Sequence, residues 1–118
     1  MRIVPIEIQP PRAVKWIVMK GKKSVEVAVL SAKDFYAPVD VDAASLTFGR
    51  TGDEASLISC DRHAKDVNGD GLPDLVCSFS VTLTGFQPGD IEGVLKGRTI
   101  LGTSFTGSDT VTIVPGKK

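Results

Sequence analysis

The 118-residue sequence predicts an all-β fold, a β-sandwich of Ig-like or jelly-roll-like kind, from two observations. Period-two alternation and β-branched residues recur from end to end, while no window of about twelve residues carries a 3.6-residue apolar period. Turn-forming Gly, Pro, Asp and Asn clusters cut the chain at spacings of roughly ten residues, which yields about seven to eight short strands. The length suits one domain spanning residues 1–118, with a single core and modest stability.

The opening strand is expected where Val4, Ile6 and Ile8 alternate with Pro5 and Glu7, and Pro5 points to a sheet edge. Pro10 and Pro11 end it by removing two backbone donors. Ala13–Lys20 and Ser24–Ser31 then read as a hairpin around the turn Gly21-Lys22-Lys23. In the second of these, Val25, Val27 and Val29 share one face and Glu26 takes the other. Lys33–Ala44, with Pro38 and three aspartates, reads as a loop or a single helical turn. Leu46–Phe48 is a short strand, followed by the turn Gly49–Asp53. Ala55–Cys60 begins another strand, and Leu75, Cys77, Phe79, Val81 and Leu83 alternate most cleanly of all. After the turn Phe86–Asp90, the last two strands are Ile91–Leu101 and Phe105–Val114 around Gly102-Thr103-Ser104.

Lysine plus arginine number 14 and aspartate plus glutamate 14, so no net field draws the protein toward nucleic acid or anionic membranes. Apolar runs such as Val25–Leu30 reach only strand length, far short of a membrane span. The start, MRIVPIEIQPP, lacks the uninterrupted apolar stretch of a secretory signal.

The segment that carries chemistry is Asp66–Asp74, DVNGDGLPD. Asp66, Asn68, Asp70, Gly71 and Asp74 match EF-hand loop positions one, three, five, six and nine. A hard divalent ion requires roughly six to eight oxygens at about 2.3–2.6 Å, and a chain supplies them only by curling around the ion. Alternate spacing aims Asp66, Asn68 and Asp70 at one point, Gly71 permits the sharp turn, and the Leu72 carbonyl would be the backbone ligand. Asp74 completes the cage. Position twelve, where an EF-hand places a bidentate glutamate, is Cys77, and flanking helices are missing, which argues against a calcium-sensing switch. The competing reading is a polar hairpin turn built from the same residue types. Ca2+ is favoured over Mg2+, which demands near-ideal octahedral geometry.

Cys60 and Cys77 frame this loop. If the flanking strands pair antiparallel about it, Cys60 faces Cys77 and His63 faces Asp74, so the cysteines either bond or form two buried thiols. A bond would stabilise the fold by about 3 kcal/mol in the chain-entropy model and place the protein in an oxidising compartment.

The segments VEVAVLSAKDF, VDAASLTFGRTGDEASL, DVNGDGLPDLVC, TGFQPGD and GSDTVTIVP, in that order, resemble a calcium-loop β-sandwich module recurring in secreted bacterial and archaeal proteins. The loop itself is similar to those of dockerins and thrombospondin type 3 repeats. The resemblance implies an extracellular, calcium-stabilised β-domain with Asp66, Asn68, Asp70 and Asp74 as ligands and with Cys60 and Cys77 paired. It implies no established activity.

Phe35, Tyr36 and Phe86 fall in expected loops and are candidates for stacking on a sugar ring, whereas Trp16 alternates with Val14 and Val18 and reads as core. The sole histidine, His63, reads as a solvated strand-end residue. The functional expectation is a noncatalytic accessory module, secreted or at the cell surface, with a structural, adhesive or carbohydrate-binding role toward a polysaccharide or a surface protein. The alternative is a small calcium-dependent hydrolase of an ester or glycoside near His63.

Overall fold

A computed structural model describes residues 2–9, 16–18, 24–61 and 65–114. Ten strands occur among them, more than the seven to eight expected, because two of the expected strands are each split in two. One sheet runs in the order β1 (Arg2–Ile3), β9 (Ser104–Thr110), β8 (Glu92–Thr99), β5 (Val41–Gly49). The other runs β2 (Ile6–Ile8), β4 (Ser24–Val29), β7 (Leu75–Ser80), β6 (Leu57–Cys60). A parallel pair, β3 (Trp16–Val18) with β10 (Thr112–Val114), completes the all-β sandwich. Inward residues of both sheets form one core, with Phe48, Phe79, Phe105, Leu95, Ile8 and Val27 fully buried.

The first split falls at Pro5. Lacking an N–H, Pro5 cannot continue a ladder. Instead Val4 donates its amide to Thr106 (2.8 Å), and the Pro5 carbonyl accepts from Leu30 (3.1 Å), so the chain passes from the edge of one sheet to the edge of the other. The edge position read from Pro5 holds for both halves. The second split falls at Val111, whose amide turns aside to the Ile91 carbonyl (3.0 Å).

The expected hairpin is corrected. β4 is paired on both sides, by β2 and β7, which leaves no edge for β3; that strand lies parallel to β10 instead. The expected turn at Gly21–Lys23 lies outside the described residues. The helical turn read into Lys33–Ala44 is α1 (Ala37–Asp40), with Pro38 in its first turn. β5 begins directly after it, earlier than the expected Leu46. Its ladder to β8 is irregular between Asp42 and Thr47, and Ser45 bridges the gap by accepting the Arg98 amide through Oγ (2.8 Å).

The alternation from Leu75 to Leu83 also overreaches. β7 stops at Ser80, and Val81–Thr84 coils into a 3-10 turn closed by Thr84 Oγ1 donating to Val81 (2.6 Å), which leaves Leu83 in solvent. This turn receives the β5–β6 connection, because Arg50 donates its amide to the Thr84 carbonyl (3.1 Å).

Candidate metal centre

The connection from β6 to β7 contains the acidic loop. At its base Cys60 and Cys77 are direct cross-strand partners, as expected of an antiparallel pair about the loop, and they are joined by a disulfide. Farther out the register moves by two residues, because Lys65 rather than His63 faces Asp74, through Lys65 N to Asp74 O (3.3 Å) and Asp74 N to Lys65 O (2.7 Å). His63, on which a hydrolytic site would turn, lies outside the described residues.

Between Lys65 and Asp74 the backbone curls around the Asp66 side chain. Asp66 Oδ1 accepts the amides of Gly69 (2.9 Å) and Asp70 (3.2 Å), and Oδ2 accepts that of Gly71 (2.8 Å). The Gly71 amide, joined by those of Gly69 and Asp70, holds the Asp66 carboxyl below the usual carboxylate range against an opposing desolvation. Gly71 has φ 86°, in the left-handed region that a side chain rarely adopts, so the glycine expected there for a sharp turn serves that purpose. Asp70 Oδ1 accepts the Leu72 amide (2.9 Å), and Asn68 Nδ2 lies 3.4 Å from Asp70 Oδ2.

Asp74 has a different environment. It is completely buried, with Oδ1 accepting the Ser31 amide (2.8 Å) and Oδ2 the Val67 amide (3.0 Å). Ser31, just beyond the end of β4, donates its hydroxyl to the Pro73 carbonyl (2.6 Å) and accepts the Ala37 amide (2.9 Å). The loop is thus fastened at its base by the disulfide and at its far end to the segment that leads into α1.

One carboxylate oxygen from each of Asp66, Asp70 and Asp74 comes within 4.8 Å of the others. Oxygens about 2.3–2.6 Å from a common calcium ion lie up to roughly 5 Å apart, so the three carboxylates fit a shared cation. Asn68 belongs to the same exposed turn. For Leu72 the contact observed is its amide to Asp70, and its carbonyl remains an expectation. Asp90 is engaged elsewhere: it takes the Gln87 amide (2.9 Å) and the Arg50 guanidinium (3.0 Å), which together hold its carboxyl below the usual range.

Two of the three residues expected to be free for stacking on a sugar ring are corrected. Phe35 and Phe86 are each only 4% exposed and belong to the buried core. Phe35 packs edge-on to Phe105 (5.8 Å) and Phe86 edge-on to Phe48 (5.8 Å). Tyr36 is the exposed member of the set. Beside it the structure adds a groove of about 300 Å³ between the α1 segment and the β8–β9 turn, with Arg2, Asp34, Asp40, Ile100 and Leu101 in its walls. The signal available in the sequence was the aliphatic pair Ile100-Leu101 at a turn, where polar residues are usual.

No protein-family model matches the chain, and no curated protein matches it. Among solved structures, AggA, the major subunit of aggregative adherence fimbriae type I from Escherichia coli, is similar at 13% identity and a TM-score of 0.32, over 95% of this chain and 93% of that one. At that distance the likeness carries no argument about function.

Proposed function

We propose that the chain is a calcium-stabilised, one-domain accessory module of a secreted or cell-surface protein, with a structural or adhesive role. The observation that carries the reading is the convergence of Asp66, Asp70 and Asp74 in a loop pinned at both ends. Three carboxylates so close repel one another, and a cation converts that repulsion into attraction. Because the ligands are gathered only in the folded state, the ion's binding energy adds to folding stability. Asn68 and the Leu72 carbonyl would supply further oxygens. The disulfide supports an oxidising compartment, and millimolar calcium outside cells agrees with it.

Of Phe35, Tyr36 and Phe86, a carbohydrate-binding version of the role would use Tyr36, since the other two are occupied in the core. The test of the metal reading is thermal melting and protease resistance of the full chain in excess CaCl2, MgCl2 and EDTA. Calcium should raise the midpoint by about 2–3 kcal/mol equivalent at a hundredfold excess over its dissociation constant. Identical curves in calcium and EDTA would remove calcium as the structural ligand. A glycan-array and insoluble-polysaccharide screen in the same buffers separates adhesion to sugars from a spacer role.

A further inference from the structure

We propose that Asn68–Gly69, in the acidic loop, is a site of spontaneous covalent modification: Asn68 closes to a succinimide and reopens as aspartate or isoaspartate, at a rate governed by the Asp66 carboxylate. The inference does not rest on the metal reading, and its test is run without metal.

The reaction needs no partner but water. The Gly69 amide nitrogen gives up its proton and bonds to Asn68 Cγ, the Cγ–Nδ2 bond breaks, and ammonia leaves with that proton. Water then adds to one of the two ring carbonyls. Addition at Cγ returns the chain as aspartate, and addition at the backbone carbonyl gives isoaspartate, in which the main chain runs through Cγ. A glycine after the asparagine removes the Cβ that would obstruct the attack. Asn68–Gly69 meets that condition: both residues are exposed, and a Cβ built on Gly69 would meet nothing within 4 Å. Asn68 is the only asparagine in the chain. The glutamines, Gln9 and Gln87, are each followed by proline, which has no N–H with which to close a ring.

The folded loop holds the attacking nitrogen. Gly69 donates its amide to Asp66 Oδ1 (2.9 Å), and the amides of Asp70 (3.2 Å) and Gly71 (2.8 Å) bind the same carboxylate. While the Gly69 bond lasts, its peptide plane is fixed, and an anion 2.9 Å away opposes the loss of a proton from the nitrogen. The electrophile is held less firmly. Among the described residues the Asn68 carboxamide makes one long contact, Nδ2 to Asp70 Oδ2 (3.4 Å). Ring closure therefore runs through openings of the loop that break the Gly69 bond, and its rate follows that opening equilibrium. Either product puts a carboxylate where a neutral carboxamide stood, in the same loop as Asp66, Asp70 and Asp74, so an aged chain gathers four like charges there.

The test follows the full chain, disulfide intact, in EDTA at neutral pH. Peptide-resolved mass spectrometry reads the gain of about one dalton at residue 68, and an isoaspartate-specific methyltransferase reads the rearranged product. The same chain in guanidinium chloride gives the rate without the folded loop. The folded wild type should convert between about ten- and a hundredfold more slowly than the unfolded chain, with isoaspartate among its products. Asp66→Ala, checked for folding by circular dichroism, should convert at least about fivefold faster than the folded wild type. Ser31→Ala, which loosens the far end of the loop but leaves Gly69 on Asp66, should stay within about twofold of it. A measurement without any substitution covers the case of an unfolded variant: in guanidinium chloride below the unfolding transition, conversion at Asn68 and hydrogen exchange at the Gly69 amide should rise in parallel. The proposal is overturned if the folded chain gains no mass at residue 68 over a period in which a hundredfold slower rate would show, or if aspartate is the sole product, which is direct hydrolysis. It is overturned equally if folded and unfolded chains convert alike, if folded Asp66→Ala keeps the wild-type rate, if Ser31→Ala accelerates as much as Asp66→Ala, or if conversion and Gly69 exchange do not rise together.

Discussion

Asp74→Asn separates what Asp74 does for the fold from what it does for the metal. In the wild type the buried carboxylate accepts two backbone amides, from Ser31 and Val67. Asparagine keeps one acceptor oxygen and turns an NH2 group toward the other amide. The oxygen should face Ser31, whose amide is buried, because an unsatisfied buried donor costs more than one that can relax toward water. The Val67 bond is lost and the Ser31 bond becomes neutral. Two charge-assisted bonds worth about 1.5–3 kcal/mol each give way to one neutral bond worth about 1, so the ion-free protein should lose about 2–5 kcal/mol, or roughly 8–20 °C, at the low end of that range because the substitution also relieves the repulsion among the three carboxylates. In calcium the wild type gains a further 2–3 kcal/mol or so at a hundredfold excess, and the variant should forfeit most of that gain. The assay is urea unfolding of both proteins in EDTA and in CaCl2. Ser31→Ala serves as the control: it removes the hydroxyl bonds to Pro73 and Ala37 but keeps the Ser31 amide on Asp74, so it should cost about 1–2 kcal/mol and leave the calcium increment intact. Unchanged stability of Asp74→Asn in EDTA would refute the hydrogen-bond reasoning. A full calcium increment in that variant would remove Asp74 from the ligand set.

Replacing Cys60 and Cys77 together by serine should lower stability by about 3 kcal/mol in EDTA, measured by urea unfolding, and by less in calcium, because the ion gathers the loop that the disulfide closes. Gly107→Ala drives a Cβ into the Val4 carbonyl at the point where the chain changes sheets; a loss of about 2 kcal/mol is expected, with faster hydrogen exchange confined to residues 2–8. For Glu54, partial burial alone would raise the carboxyl, but the Thr51 hydroxyl and the Gly52 and Thr51 amides outweigh it and hold the group below its ordinary value of 4.5. A depressed carboxyl contributes stability that is complete above 4.5 and lost as pH falls through the lower folded value. Unfolding midpoints taken below pH 4.5 should therefore fall less steeply for Glu54→Gln than for the wild type. Phe48→Ala empties the ring position between Phe79 and Phe86, and differential scanning calorimetry should record a loss of about 3–5 kcal/mol.

Local chemistry was legible in the sequence wherever a short-range constraint governs it. Alternation identified the buried face of Val25, Val27 and Val29, the spacing in DVNGDGLPD brought three carboxylates together, and the loop's symmetry put Cys60 opposite Cys77. Partner choice was not legible. Whether β3 pairs with its sequence neighbour β4 or with the distant β10 depends on which edges of β4 remain free, and β2 and β7, distant in sequence from each other, occupy both. Proline marked the Pro5 break, but an absent donor does not reveal that the chain will cross to another sheet.

The misplacement of Phe86 has a cause that lies in another strand. The inward positions of β8 read Gly93, Leu95, Gly97, so two of three contribute no side chain to the core. A Cβ built on Gly93 would come within 3.0 Å of Ile8 and Phe48 and 3.1 Å of Phe86, and one on Gly97 within 2.7 Å of Leu46 and 3.0 Å of Phe105. The space left by each glycine is therefore filled by large side chains from other elements. Close packing permits no alternative, since an unfilled gap on that face would forfeit contacts on every side. Phe86 stands in a turn by its neighbours, Gly85 and Gln87-Pro88-Gly89-Asp90, yet the vacancy at Gly93 draws it inward. Loop aromatics close to a strand with inward glycines are thus better read as core than as a binding surface, and of the three loop aromatics Tyr36 alone keeps its ring in solvent.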